Sequence, residues 1–110
     1  MNPTISCNAL EGITTPQTLK IEGYMTKKNV IALIDLGSAH NFIDFKISKE
    51  LNFFLYPTPE FQVMVANWWT ISCSWMCHNI KLSMGEYVLN IPMLSIPMGG
   101  ANVLLGVQWL

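Results

Sequence analysis

The chain has 110 residues, enough for one domain and too few for a second of ordinary size. Hydrophobic residues make up 51% and charged residues only 12%, against about 25% charge in an average soluble domain, so either a partner covers much of the surface or the chain is poorly soluble. The net charge of −1, with basic residues scattered apart from Lys27-Lys28, leaves no electrostatic footprint for nucleic acid.

Residues 1–15 are rich in turn formers, lack a hydrophobic period and are expected to form an N-terminal tail before a domain spanning 16–110. "TLKIEGYM" alternates apolar and polar residues and predicts a strand, with Leu19, Ile21 and Gly23 on one face. "TKKN" supplies a turn. "VIALID" is a continuous aliphatic run that predicts a strand buried on both faces, so the two segments form a hairpin. Residues 37–41 read as a loop, and "FIDFKISKEL" has near-helical spacing at Phe42, Ile43, Ile47 and Leu51, predicting one short helix. Pro57 and Pro59 are expected to break the chain. "FQVMVA" alternates strictly, with Phe61, Val63 and Val65 on one face. "TISCSW" reads as its return strand across a turn at "NWW". "NIKLSM" and "YVLNIPM" form a second hairpin around Met84-Gly85-Glu86, "NVLLG" is a short strand, and "VQWL" opens a helix. About seven short strands and one or two short helices predict an all-β fold, a mainly antiparallel sandwich or barrel.

Two features could mislead. From Tyr87 to Leu110 no residue is charged, but Pro92, Pro97, Gly99, Gly100, Asn90 and Asn102 interrupt any spanning helix; short buried strands and a subunit interface explain the segment, and no membrane partner is expected. The cysteines are Cys7, Cys73 and Cys77, an odd number that argues against a disulfide framework and for a reducing, intracellular, cytoplasmic setting. Cys73, Cys77 and His78 form C-x3-C-H, which matches neither zinc spacing nor haem attachment, and a position on a strand face is expected instead. No metal and no cofactor is expected.

The chemistry points to one place. Asp35 ends the aliphatic strand and is followed by Leu36, Gly37 and Ser38. A carboxylate there is held by a rigid scaffold, Gly37 lets the backbone turn and bring amides towards it, and Ser38 can hydrogen-bond the ionised form. Taken alone, Asp-x-Gly is also a common turn. The flanks extend the pattern. An apolar strand, Asp-x-Gly-Ser and "AHNFI" resemble the active-site loop of retroviral-type (retropepsin-like) aspartic proteases, in particular the protease segment of plant Ty3/gypsy-type retrotransposon polyproteins. "FQVMVAN" resembles the flap strand, "HNIKLSMGEYVLNIPM" the hairpin after the flap, and "GGANVLLGVQWL" the apolar-apolar-Gly motif beneath the loop followed by a helix.

The resemblance implies a small acid-protease barrel and an aspartic endopeptidase acting on a peptide or on its own polyprotein. It makes Asp35 catalytic, with Leu36, Gly37 and Ser38 as the active-site loop. Val65, Ala66, Asn67, Trp68 and Trp69 become the flap, and Leu104, Leu105 and Gly106 the support of the loop. Proteolysis of this type needs two carboxylates sharing a proton. The chain has two aspartates, and Asp44 falls in the expected helix, where exposure is expected, so the second carboxylate comes from a homodimer that places Asp35 beside its symmetry mate. Three positions depart from the family: Leu36 stands where Thr or Ser is usual, Trp68-Trp69 where the flap tip carries glycine, and the chain stops inside or just before the last helix. They support an alternative, a catalytically inactive binding or dimerisation module, or a decayed polyprotein fragment.

Overall fold

The computed structural model describes residues 4–6, 18–64 and 70–106. The strands are β1 (Thr4–Ser6), β2 (Thr18–Met25), β3 (Lys28–Asp35), β4 (Phe42–Asp44), β5 (Tyr56–Met64), β6 (Thr70–Met84), β7 (Tyr87–Ile96) and β8 (Val103–Leu105), with one helix, α1 (Phe45–Glu50). The fold is all-β. The sheet order is β1-β5-β6-β2-β3-β8-β4-β7, and β6 also pairs with β7, so six strands close into a ring and β5 and β1 extend outward from β6. Among the described residues no helix is long and apolar enough to cross a membrane.

The β2–β3 hairpin forms as its alternation predicts, in register from Thr18↔Asp35 to Met25↔Lys28. β3 then runs parallel to β8, which runs antiparallel to β4. The short β8 thus lies between two strands and is paired along both edges. Its three residues are fully buried, as are Ala32 and Leu33 of β3, which explains why both strands are unbroken aliphatic runs. Two packed clusters result. Val30, Ala32, Ile34, Val103 and Leu105 join Met25, Ile43, Ile80 and Leu82 on one side. Leu33 and Leu104 join Phe42, Val63, Cys73 and Ile96 on the other.

Four elements differ from their sequence-based expectations. The helix expected over 42–51 is a strand over Phe42–Asp44 and a six-residue helix after it. Phe42 and Ile43 are both fully buried, and they enter opposite clusters. Only extended backbone sends adjacent side chains to opposite faces. Pro57 and Pro59 do not break the chain but lie within β5, where the register with β6 shifts between Pro57 and Phe61. β5 lies outside the ring, a position that tolerates residues lacking an N–H. "TISCSW" and "NIKLSM" are one continuous strand, β6, interrupted by an irregularity between Cys77 and Ile80, where Asn79 adopts φ 57°. That bulge lets one strand serve both the β5 hairpin and the β7 hairpin. Thr4–Ser6, placed in the expected tail, joins the sheet in parallel with β5. The expected helix at "VQWL" lies outside the described residues.

Cys73 and Cys77 occupy the strand faces expected of them, one in each cluster. Both are free thiols. Burial pushes each thiol up from its ordinary value of 9.0, an effect that a backbone hydrogen bond from Trp75 partly offsets at Cys73. Above pH 9 the unfolded chain therefore sheds protons that the folded chain retains, so these two groups make stability fall as pH rises through their folded values. In alkylation followed by mass analysis of the folded protein, Cys73 and Cys77 are expected to label at least tenfold more slowly than in denaturant. Equal rates would show that neither thiol is sequestered.

Candidate functional site

Asp35 is the last residue of β3 and is half-buried. The chain turns immediately after it. The Gly37 amide donates to Asp35 Oδ1 at 2.8 Å, and the Ser38 amide donates to the Asp35 carbonyl at 3.1 Å. One residue thus directs two nested turns, through its side chain and its backbone. Asp35 opens the turn and also presents its carboxylate at the turn's mouth. The turn does not rely on a left-handed glycine: among the described residues, Gly85 is the glycine with positive φ.

Ser38 is buried, but its hydroxyl is directed elsewhere than the carboxylate. Oγ donates to the His40 carbonyl at 2.9 Å and accepts from the His40 amide at 3.2 Å. Its support of Asp35 passes through the backbone, where a hydroxyl–carboxylate bond was expected. The His40 ring lies 6.4 Å from the rings of both Phe42 and Phe61, between the loop and β5. Leu36, at the tip, is 51% exposed.

The three residues expected to support the loop lie in β8 and directly after it. Leu104 is opposite both Leu33 and Phe42, and Leu105 is opposite Ile34. Gly106 follows directly and lies against the loop. A Cβ built on it would meet the Ser38 carbonyl oxygen at 2.5 Å and the His40 carbonyl oxygen at 2.7 Å, so only glycine fits. Two asparagines, Asn41, expected in a loop, and Asn102, expected to open a short strand, complete the support. Asn41 is buried; its Oδ1 accepts from the Gly106 amide at 2.8 Å and its carbonyl accepts from Leu94 at 2.9 Å. Asn102 exchanges two bonds with Ile31, accepting at Oδ1 from the Ile31 amide at 2.7 Å and donating to the Ile31 carbonyl at 3.0 Å, while its own carbonyl accepts from Asp44. Each asparagine directly precedes an apolar strand, and that placement is the sequence signal that could have identified them.

Asp44 is neither helical nor fully exposed. It ends β4, is half-buried, and accepts from the Met98 amide at 3.2 Å through Oδ1. It is a structural carboxylate committed to the 97–102 loop. The expected flap residues Val65, Ala66, Asn67, Trp68 and Trp69 lie outside the described residues. The strands that lead to and from them, β5 and β6, pair from Met64↔Thr70 down to Tyr56↔Met76.

Cavities of about 200 and 350 Å³ are lined by Glu22, Asn29, Val30 and Ile31, and by Lys49, Asn52, Phe53, Phe54 and Leu55. Neither includes a residue of the 35–38 loop. On one chain the described residues of the site form a single supported carboxylate on a turn. Among the described residues, no three His, Cys, Asp or Glu side chains gather as a metal site. The chain matches no protein-family model, and no curated protein matches it.

Gly106→Ala forces a methyl group against two backbone carbonyls and is expected to destabilise the fold by about 1–3 kcal/mol, read as a lower denaturant midpoint. An unchanged midpoint would show that the loop does not rest on this residue. Asn41→Ala leaves the Gly106 amide buried and unpaired, at an expected cost of about 1–3 kcal/mol, whereas Asn41→Asp keeps the acceptor and retains more of the stability. Equal losses in the two variants would argue against that bond.

Proposed function

We propose that the chain is an aspartic endopeptidase of the retroviral type, which hydrolyses peptide bonds with a carboxylate dyad formed by Asp35 of two copies. The observation that carries this reading is the mounting of Asp35: a carboxylate at the end of a doubly buried strand, bonded by the Gly37 amide and based on a turn that packs against Gly106. A structural turn alone has no need of such support. In the dyad, one carboxylate takes a proton from water while the other donates one to the substrate carbonyl oxygen. A single chain supplies one such group on an exposed turn, and a two-fold partner supplies the other. The half-exposed Leu36 beside it gives the partner an apolar surface to cover. The substrate is an extended peptide, including the polyprotein from which such a domain would be released. No cofactor takes part.

Leu36 also favours a second reading, in which the same scaffold is a binding or dimerisation module without activity. A leucine cannot make the hydroxyl bond across the two-fold axis that the resemblance assigns to this position. If that bond's partner is left buried and unpaired, the cost is about 1–3 kcal/mol at each of the two symmetric sites.

Sedimentation at micromolar concentration and pH 5–7, paired with a peptide-cleavage assay, separates the two. The enzyme reading expects a dimer whose pepstatin-sensitive cleavage falls by about 10²–10⁴-fold in Asp35→Asn. A monomer, or cleavage unaffected by that substitution, would sink it. An inactive dimer in which Leu36→Thr creates cleavage would establish the module reading.

A further inference from the structure

β5 extends the sheet outward from the barrel strand β6, and its outer edge has two unlike halves. Near its start, Pro57 and Pro59 remove two N–H donors, a common protection of sheet edges. From Phe61 to Met64 there is no such block. It is here that β1 adds in parallel, with Thr4↔Gln62, Ile5↔Val63 and Ser6↔Met64. Among the described residues, β1 pairs with no other strand. Three residues gain little more from main-chain hydrogen bonds than they lose on being fixed, so their residence depends on the tether through residues 7–17. A strand held covalently to the sheet it pairs with competes with any free peptide by its effective concentration.

We propose that the β5 edge at Gln62–Met64 is a binding site for an extended peptide, added as a parallel strand, and that Thr4–Ser6 is its resident and displaceable occupant. Main-chain hydrogen bonds provide the binding, and alternate register positions provide the selectivity. Val63 is fully buried, so the position opposite it lies on the apolar face and takes an apolar residue. Gln62 bonds Ser72 Oγ at 2.9 Å and Glu60 at 3.4 Å, so the position opposite Gln62 lies on a polar face. The ligand is therefore a proline-free segment alternating polar, apolar and polar residues, the pattern of Thr4-Ile5-Ser6 itself. The site does not depend on the proteolytic reading. If that reading holds, the occupant lies along the hairpin expected to carry the flap.

The test is amide hydrogen exchange of the full chain, with and without a synthetic peptide of residues 1–8 at millimolar concentration. In the wild type, exchange of residues 61–64 is expected to be slow and insensitive to the peptide, because the tethered strand competes. Ile5→Pro removes a main-chain donor from β1 and is expected to speed exchange there at least threefold while β3 and β8 stay protected. The added peptide then restores slow exchange, and the same peptide carrying Pro at position 5 does not. Unchanged exchange in the variant, no restoration, or equal restoration by both peptides would overturn the proposal. Loss of protection in β3 and β8 would overturn it as well, since β1 would then be part of the cooperative fold rather than a displaceable strand. Cleavage activity is not read, so failure here leaves the assignment of Asp35 untouched.

Discussion

The insertion of β8 between β3 and β4 is the constraint on which the rest of this structure depends. Val103, Leu104 and Leu105 pair with one strand on each edge and contribute to a packed cluster on each face. A strand hydrogen-bonded and buried on every side cannot slip by one residue without reversing its whole apolar pattern. Because β8 is fixed in this way, Gly106 is delivered to the underside of the Ser38–His40 turn, and Asp35 is presented above it. The position of the carboxylate is therefore set by core packing rather than by the loop's own preferences.

The same packing links the carboxylate's strand to the outer hairpin. Leu33 of β3, Phe42 of β4 and Leu104 of β8 share their cluster with Val63 of β5 and Cys73 of β6, and Phe61 and Ile71 pack against it. His40 adds a second link, with its ring between Phe42 and Phe61. β6 spans fifteen residues and pairs with the outer hairpin at one end and with β7 at the other. The hairpin is thus rooted in the barrel's second core rather than hung from its rim. By contrast, the ion pair between Lys28 and Glu50, 3.0 Å apart, joins two partly exposed side chains and adds little, about 0–1 kcal/mol.

Much of this was legible in the sequence, for physical reasons. Aliphatic runs without alternation marked β3 and β8 because a strand buried on both faces has no polar side. The β2–β3 hairpin followed from the period-two patterning of β2, a polar turn, and the aliphatic run of β3 beyond it. The Asp35 turn and the Gly106 support were legible as a pair of motifs far apart in sequence. What could not be read depended on tertiary neighbours. Phe42 and Ile43 fit a helical stripe until two cores, one on each side, require opposite faces. Pro57 and Pro59 suggest a break unless the strand is known to lie outside the closed ring. Asn41 and Asn102 have turn-like composition, and only the unpaired amides of Gly106 and Ile31 reveal what their side chains do.

The ring closes between β2 and β6 through a single register pair, Tyr24↔Ser83. At that crossing, a Cβ on Gly23 would stand 2.9 Å from Leu82 Cδ1 and 3.2 Å from the Ser83 carbonyl oxygen. The barrel is therefore sealed less by a ladder of hydrogen bonds than by the bare approach of two backbones, which the missing side chain at Gly23 permits. That one absent methyl group lets β2 and β6 approach this closely at the point where the ring closes.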